Sequence, residues 1–174
     1  QRPSGPVPVA RVDRVEKPFE QLDGQHLVAT SERYDSYSPA WSPDGKQLAA
    51  VSFKTLRIWN AETGQSERDI PLEGMGTVFA VAWSPDGKRL VAGDKDGTIR
   101  AWIVELEESL FTIRGHDGPV NCVSWSPDGR RIATSSMGCT LKVRDPETGE
   151  EIYTFHDPGG GIFVLAWSPD GTKL

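Results

Sequence analysis

The chain has 174 residues, 37% of them hydrophobic and 25% charged, with a formal net charge of −6. This composition is typical of a folded globular protein and excludes a disordered one. The acidic balance argues against nucleic acid or an anionic membrane as a partner held by charge, and no apolar run approaches the ~18 residues of a membrane span. We therefore expect neither a nucleic-acid nor a membrane partner.

Two cysteines, Cys122 and Cys139, are too few for a disulfide framework. Free thiols are typical of a reducing compartment, so we expect both to be unpaired and the protein to be cytoplasmic. A disulfide or a reactive thiol is the alternative.

Residues 1–30 differ from the rest of the chain. Pro3, Pro6 and Pro8 disfavour both helix and strand pairing, which predicts an extended linker. Residues 18–30 contain a turn signal at Asp23-Gly24 followed by apolar residues, and predict one or two strands of a preceding unit.

The sequence Trp-Ser-Pro-Asp-Gly occurs four times, and each copy opens 42 residues after the previous one. The copies begin at Trp41, Trp83, Trp125 and Trp167. A fixed period of about 40 residues indicates a repeated supersecondary unit. Proline, aspartate and glycine in this order favour a type I turn followed by a left-handed residue, which closes a β-hairpin.

Each repeat offers four strands. An apolar run precedes the tryptophan, a return strand follows the turn, residues 55–59 alternate apolar and polar, and residues 67–72 form a fourth strand. The pattern predicts an all-β fold of four-stranded antiparallel units at about residues 31–72, 73–114 and 115–156, with an incomplete unit at 157–174. Because a unit cut after its first hairpin leaves a sheet edge unpaired, we expect a fragment or half of an assembly.

No constellation of residues indicates catalysis. His116-Asp117 and His156-Asp157 lack metal-ligand spacing, and the aspartates of the four hairpins are explained by the turns. We predict no catalytic, cofactor-binding or metal-binding residue, and a protein that is not an enzyme.

The repeats resemble the WD-repeat (WD40) β-propeller family. The hairpins, the third-strand segments at residues 56–60 and 98–102, and Gly115-His116 carry this resemblance. It implies four-stranded blades around a central channel. About 3.4 repeats follow residue 30, whereas propellers close with ~4 to 8 blades, so ring completion requires missing residues or another copy of the chain.

The family's polar network joins a His before the first strand, a Ser or Thr on the second, an Asp in the next turn and a Trp on the third. Asp96 and Trp102 match it in the second repeat and His116 in the third, where Gly138 and Arg144 replace the Asp and the Trp. The chain therefore resembles a divergent, bacterial-type member. The four hairpin tryptophans, with Asp96, Trp102 and His116, are expected to be structural.

The resemblance implies a non-catalytic scaffold or sensor that binds a protein or peptide on the face carrying the inter-blade loops. The candidate contact residues are Met75, Thr77, Lys95, Asp117, Pro119, Met137 and Gly161. Met75 and Met137 are expected to be adaptable apolar contacts. The alternative is a regulatory propeller attached to an NTPase, kinase or protease domain outside this sequence; a hydrolase-associated propeller is less favoured.

Overall fold

The computed structural model describes residues 21–22, 26–27, 39–52 and 54–174, and every regular element among them is a β-strand. The strands are β1 (Gln21–Leu22), β2 (His26–Leu27), β3 (Ala40–Trp41), β4 (Gln47–Ser52), β5 (Thr55–Asn60), β6 (Ser66–Pro71), β7 (Val78–Trp83), β8 (Arg89–Asp94), β9 (Thr98–Ile103), β10 (Glu108–Arg114), β11 (Val120–Trp125), β12 (Ile132–Ser136), β13 (Thr140–Arg144) and β14 (Glu151–His156).

Strands β3 to β14 form three separate four-stranded antiparallel sheets, each with its strands in chain order. We call them blades 1, 2 and 3. The first two strands of each blade pair in the same register, so that Trp41 lies opposite Leu48 and Trp83 opposite Leu90. This confirms the all-β prediction of four-stranded blades.

The hairpin turns are held by their own side chains. In the first turn the Ser42 hydroxyl donates to Asp44 Oδ1 at 2.6 Å, and the same oxygen accepts from the Lys46 amide at 3.0 Å. The turns at Ser126 and Ser168 repeat this pattern. These donors lower the pKa of the turn carboxyl, to about 2 for Asp170. The turn aspartates therefore stabilise the turns.

The core lies between the blades. Because side chains alternate across a strand, Leu90 and Ala92 on β8 pack towards blade 1, whereas Val91 packs towards blade 3. Each blade thus buries the face of its neighbour.

The hairpin tryptophans differ in burial. Trp83 and Trp125 are buried in the two inter-blade clusters, and Trp83 Nε1 donates to the Ala40 carbonyl at 3.0 Å. Trp167 is half-buried, and its Nε1 donates to the Ser124 carbonyl at 3.4 Å. Trp41, however, is 50% exposed, because it lies on blade 1, the first of the three sheets, rather than between two of them. Among the four hairpin tryptophans expected to be structural, Trp41 is therefore not a core residue.

Residues 157–174 form no strand, so the strands expected there are absent from the structure. Their hairpin turn does form, since the Ser168 amide donates to the Lys173 carbonyl at 2.8 Å. A strand requires a ladder partner, and no third strand follows Lys173 within the described residues to support this hairpin.

The expected strands between residues 18 and 30 correspond to β1 and β2, which pair with each other as a two-stranded antiparallel sheet. The expected linker at the start of the chain lies outside the described residues.

Candidate functional site

The inter-blade loops lie at one end of the sheets, where β7 and β11 begin and β8 and β12 end. This arrangement brings together residues that are distant in sequence. The Lys95 amide donates to the Thr77 carbonyl at 2.8 Å, and the Met137 amide donates to the Pro119 carbonyl at 3.1 Å. Both pairs of candidate contact residues therefore lie side by side.

Gly161 extends this surface towards the fourth repeat. A Cβ atom built on Gly161 would lie 3.2 Å from Met137 Cα and 3.5 Å from Phe163 Cε2. The absence of a side chain at Gly161 therefore lets the fourth repeat pass close to Met137. We call the loop surface the set Thr77, Lys95, Asp117, Pro119, Met137, Gly161 and Phe163.

Backbone hydrogen bonds that extend the ladder between the third and fourth strands of each blade hold the loops. The amides of Gly115 and His116 donate to the Gly97 carbonyl at 2.9 and 3.2 Å. The Leu72 amide makes the equivalent bond to the Lys54 carbonyl, and the Asp157 amide to that of Cys139. The loop surface therefore rests on a backbone framework repeated once per blade.

Met75 is not part of this surface. It is 5% exposed and packs with Leu72 and Val78 in the cluster between blades 1 and 2. The Met75 amide donates to the Leu72 carbonyl at 3.1 Å, and this turn directs the side chain into the core. The prediction that Met75 contacts a partner is therefore corrected, and Met75→Asp would unfold the protein rather than test binding.

Met137 and Phe163 are the exposed apolar side chains of the loop surface, at 52% and 61% exposure. Phe163 is not among the contact residues predicted from sequence, because it lies within an apolar run that predicts a strand. The available signal was the 42-residue period, which places Phe163 at the position of Asn121 on β11.

Carboxylates outnumber cations on the loops. Glu73, Asp96, Asp117 and Asp157 are exposed, and so are the cations Lys54, Lys95 and Arg114. Lys95 Nζ lies 3.8 Å from Asp96 Oδ1. This end of the sheets therefore presents charges of both signs, with a small excess of carboxylates.

His116 orders the loop that carries Asp117 and Pro119. Its Nδ1 lies 2.7 Å from Thr140 Oγ1 and its Nε2 lies 2.8 Å from Thr134 Oγ1, so both ring nitrogens are hydrogen-bonded inside blade 3. Burial, followed by the charges of Arg144 and Lys142, lowers the pKa of His116 to about 4. The ring is therefore neutral at pH 7 and acts as a structural link.

Asp94 replaces Asp96 as the structural carboxylate of blade 2. Asp94 is fully buried at the end of β8, and it accepts hydrogen bonds from the amides of Gly76, Asp96 and Thr98 at 2.7, 2.9 and 2.7 Å. Asp96 is exposed, while Trp102 is buried. The structural role expected for Asp96 therefore belongs to the residue two positions earlier, which the family pattern does not mark.

Arg144 occupies the family's tryptophan position in blade 3. It is buried, and its guanidinium donates to the carbonyls of Gly149 at 3.1 Å and Gly115 at 2.8 Å. A cation with two carbonyl partners therefore ties the last turn of blade 3 to the loop from blade 2.

The chemistry of the described residues is limited. No group of three or more His, Cys, Asp or Glu side chains among them is placed to hold a metal ion. Cys122 and Cys139 are free thiols, and burial raises the pKa of Cys122. The search of the same residues finds no helix suited to crossing a membrane.

Two stretches of the chain, residues 70–102 and 107–145, match the family model described as WD domain, G-beta repeat. They cover most of blades 2 and 3 as the structure defines them. These two stretches of the chain are WD40 repeats. WD40 repeats generally mediate protein interactions.

The chain is also similar to the Apoptotic protease-activating factor 1 of Rattus norvegicus, with 32% identity over 88 residues. The alignment covers 51% of this chain and 6% of that relative. The match therefore spans only a small part of that relative's length.

Proposed function

We propose that this WD40 chain is a non-catalytic interaction module that binds a protein or peptide on the loop surface. The observation that carries the proposal is the pair Met137 and Phe163, exposed close together on loops held by backbone hydrogen bonds. One of these bonds, from the Ile162 amide to the Ser136 carbonyl at 3.3 Å, joins the fourth repeat to blade 3. Exposed apolar side chains on a rigid scaffold are favourable recognition sites, and methionine adapts to varied partners.

The charge of the loops indicates the partner's chemistry. Because Asp117 and Asp157 are exposed on the loops before and after blade 3, which carries Met137, a segment with one large apolar side chain and a flanking Lys or Arg is the best complement. The free cysteines support a reducing compartment, and we therefore place the module in the cytoplasm.

The test uses selection from a displayed random-peptide library, followed by affinity measurement for the selected peptides. Met137→Asp and Phe163→Asp place a carboxylate at the apolar contact without filling a core position. We expect each to weaken binding at least about tenfold, which corresponds to about 1.4 kcal/mol.

Leu106→Asp is the matched control, because Leu106 is an exposed apolar residue in the turn between β9 and β10, at the opposite end of the sheets. Peptides that bind the wild type and the Leu106 variant but not the Met137 variant support the proposal. Selection of no peptide, or equal loss in the control, would refute it.

A second candidate is a regulatory WD40 module attached to an enzyme. The similarity to a relative whose name describes the activation of a protease supports it, since the match occupies only 6% of that relative. The test is to sequence the gene on the upstream side of the codon for Gln1. An open reading frame that encodes a catalytic domain there is the expected result, and a start codon directly before Gln1 would eliminate this candidate.

A further inference from the structure

A cation occurs at the same position of the third strand in all three blades: Arg57 on β5, Arg100 on β9 and Lys142 on β13. The two arginines adopt the same pose. The guanidinium carbon of Arg57 lies 5.9 Å from the ring centroid of Trp59, and that of Arg100 lies 5.9 Å from the ring centroid of Trp102.

Blades 1 and 3 supply an anion for this cation. Arg57 donates from Nε and Nη2 to the two carboxylate oxygens of Asp69, at 2.6 and 2.7 Å. In blade 3, Lys142 Nζ donates to Glu151 Oε2 at 2.7 Å. The two acids occupy different positions on the fourth strand, yet each neutralises the cation beside it.

Blade 2 has a hydroxyl at both of these positions. In the strand register, Thr112 lies opposite Arg100, as Asp69 lies opposite Arg57. Ser109 lies 42 residues before Glu151 and is therefore its equivalent in blade 2. Arg100 Nε donates to Thr112 Oγ1 at 2.6 Å. Within the part of the chain that the structure describes, no carboxylate is within ion-pair distance of Arg100.

We propose that Thr112 is a phosphorylation site whose phosphoryl group pairs with Arg100 as Asp69 pairs with Arg57. A phosphoryl group on Thr112 would carry about −1.5 to −2 charges and oxygens suited to a guanidinium fork. The hydroxyl of Thr112 already lies at the Nε atom that this fork would use.

The covalent step is an ordinary phosphoryl transfer from ATP by a protein kinase. Thr112 Oγ1 attacks the γ-phosphorus, a phosphorus–oxygen bond forms, the bond to the ADP oxygen breaks, and the hydroxyl proton passes to a base of the kinase. Thr112 is exposed on β10, which pairs only with β9 among the described strands, so this strand is the accessible edge of the sheet.

Covalent attachment distinguishes this site from one for a dissolved anion. One partly exposed guanidinium and two hydroxyls bind free phosphate weakly, whereas attachment to Thr112 makes the same contact intramolecular. The modification would fasten β10 to β9 just before the loop that carries His116 and Asp117.

The first experiment measures the equilibrium unfolding of the 174-residue chain in urea. Thr112→Asp should raise the folding equilibrium constant about two- to fivefold, as expected for an exposed ion pair. Arg100→Gln should abolish this gain in the double variant, and Thr112→Asn, which adds no charge, should give none. An equal gain with Asp in the presence and absence of Arg100 would overturn the pairing.

The second experiment places phosphothreonine at position 112 by genetic encoding and follows its phosphorus resonance against pH. The second pKa of the phosphate, normally near ~6, should be lower in the wild-type background than in the Arg100→Gln background. No difference would overturn the proposal. Inorganic phosphate added to the unmodified chain should not reproduce the stabilisation, and if it does, the covalent assignment fails.

The third experiment locates the modification by mass spectrometry of the protein from its native source. Trypsin releases residues 101–114, in which Ser109 and Thr112 are the hydroxyl-bearing residues. Phosphate on Thr112 is the expected result. Phosphate on Ser109 instead, or none on this peptide, would overturn the assignment.

Discussion

At the level of single residues, His116 determines how stability depends on pH above pH 4. Its folded pKa of about 4 lies below the ordinary value of 6.5, because burial and nearby cations disfavour the charged ring. The unfolded chain therefore binds more protons between these values. Stability is complete above pH 6.5 and falls as the pH is lowered to about 4.

We predict that protonation of His116 lowers the free energy of unfolding by up to about 1.4 kcal/mol per pH unit between pH 6.5 and about 4. Urea unfolding measured from pH 7 to pH 4 tests the prediction. His116→Gln should be less stable at pH 7 and should show a smaller pH dependence of stability in this window. His156→Gln, at an exposed position on β14, is the control and should retain the wild-type slope. The same slope in the His116 variant would contradict the assignment.

The turn carboxylates govern a lower pH range. Hydrogen bonds from Ser168 and Thr172 hold the pKa of Asp170 at about 2, below the ordinary 3.8. The stability that the ionised Asp170 contributes is therefore present above pH 3.8 and is lost as the pH falls towards 2. This window does not overlap that of His116, so the two contributions can be measured separately.

At the level of elements, the turns show which glycines are required by packing and which by backbone conformation alone. Gly45 and Gly149 both have positive φ, at 70° and 76°. A Cβ on Gly45 would have no atom within 4 Å, whereas one on Gly149 would lie 2.7 Å from Phe111 Cδ2. The turn of blade 3 therefore packs against blade 2 only because it has no side chain there.

We predict that Gly45→Ala destabilises the protein by about 1 kcal/mol, the cost of the left-handed conformation. Gly149→Ala should cost about 2 to 4 kcal/mol, because displacement of the buried Phe111 ring is added to that strain. Urea unfolding of both variants measures the difference. Equal losses would show that Phe111 moves aside without penalty.

The strands of blades 1 to 3 were predictable from sequence because the hairpin signal recurs every 42 residues and alternation defines β5 and β9. The burial of Met75 was not, since it depends on the turn through Leu72 that directs the chain inwards. Asp94 was missed for a related reason: three amides converge on it only in the folded blade. Periodicity thus predicts pairing, whereas burial of loop residues depends on local chain reversals.

At the level of the whole molecule, blade 3 has an exposed apolar face, whereas the equivalent face of blade 2 is buried against blade 3. Tyr153 and Phe155 on β14 are 53% and 57% exposed, whereas Phe111, which lies 42 residues before Tyr153, is 8% exposed between blades 2 and 3. Residues 157–174 contact β11 through Ile162 and Trp167, and they supply no strand to cover β14. The face has the chemistry of an inter-blade interface and is open.

An open apolar face of this kind favours association, and for the 174-residue chain in solution the available partner is a second copy. We predict a mass that rises with concentration in size-exclusion chromatography with light scattering, and that persists in high salt because the contact is apolar. Tyr153→Ser combined with Phe155→Ser should shift the chain towards the monomer.

The control is Leu106→Ser, which removes an exposed apolar side chain from a turn and should not change the mass. A wild-type chain that stays monomeric at all concentrations, or a double variant that associates equally well, would show that this face is not self-complementary and that ring completion requires further repeats.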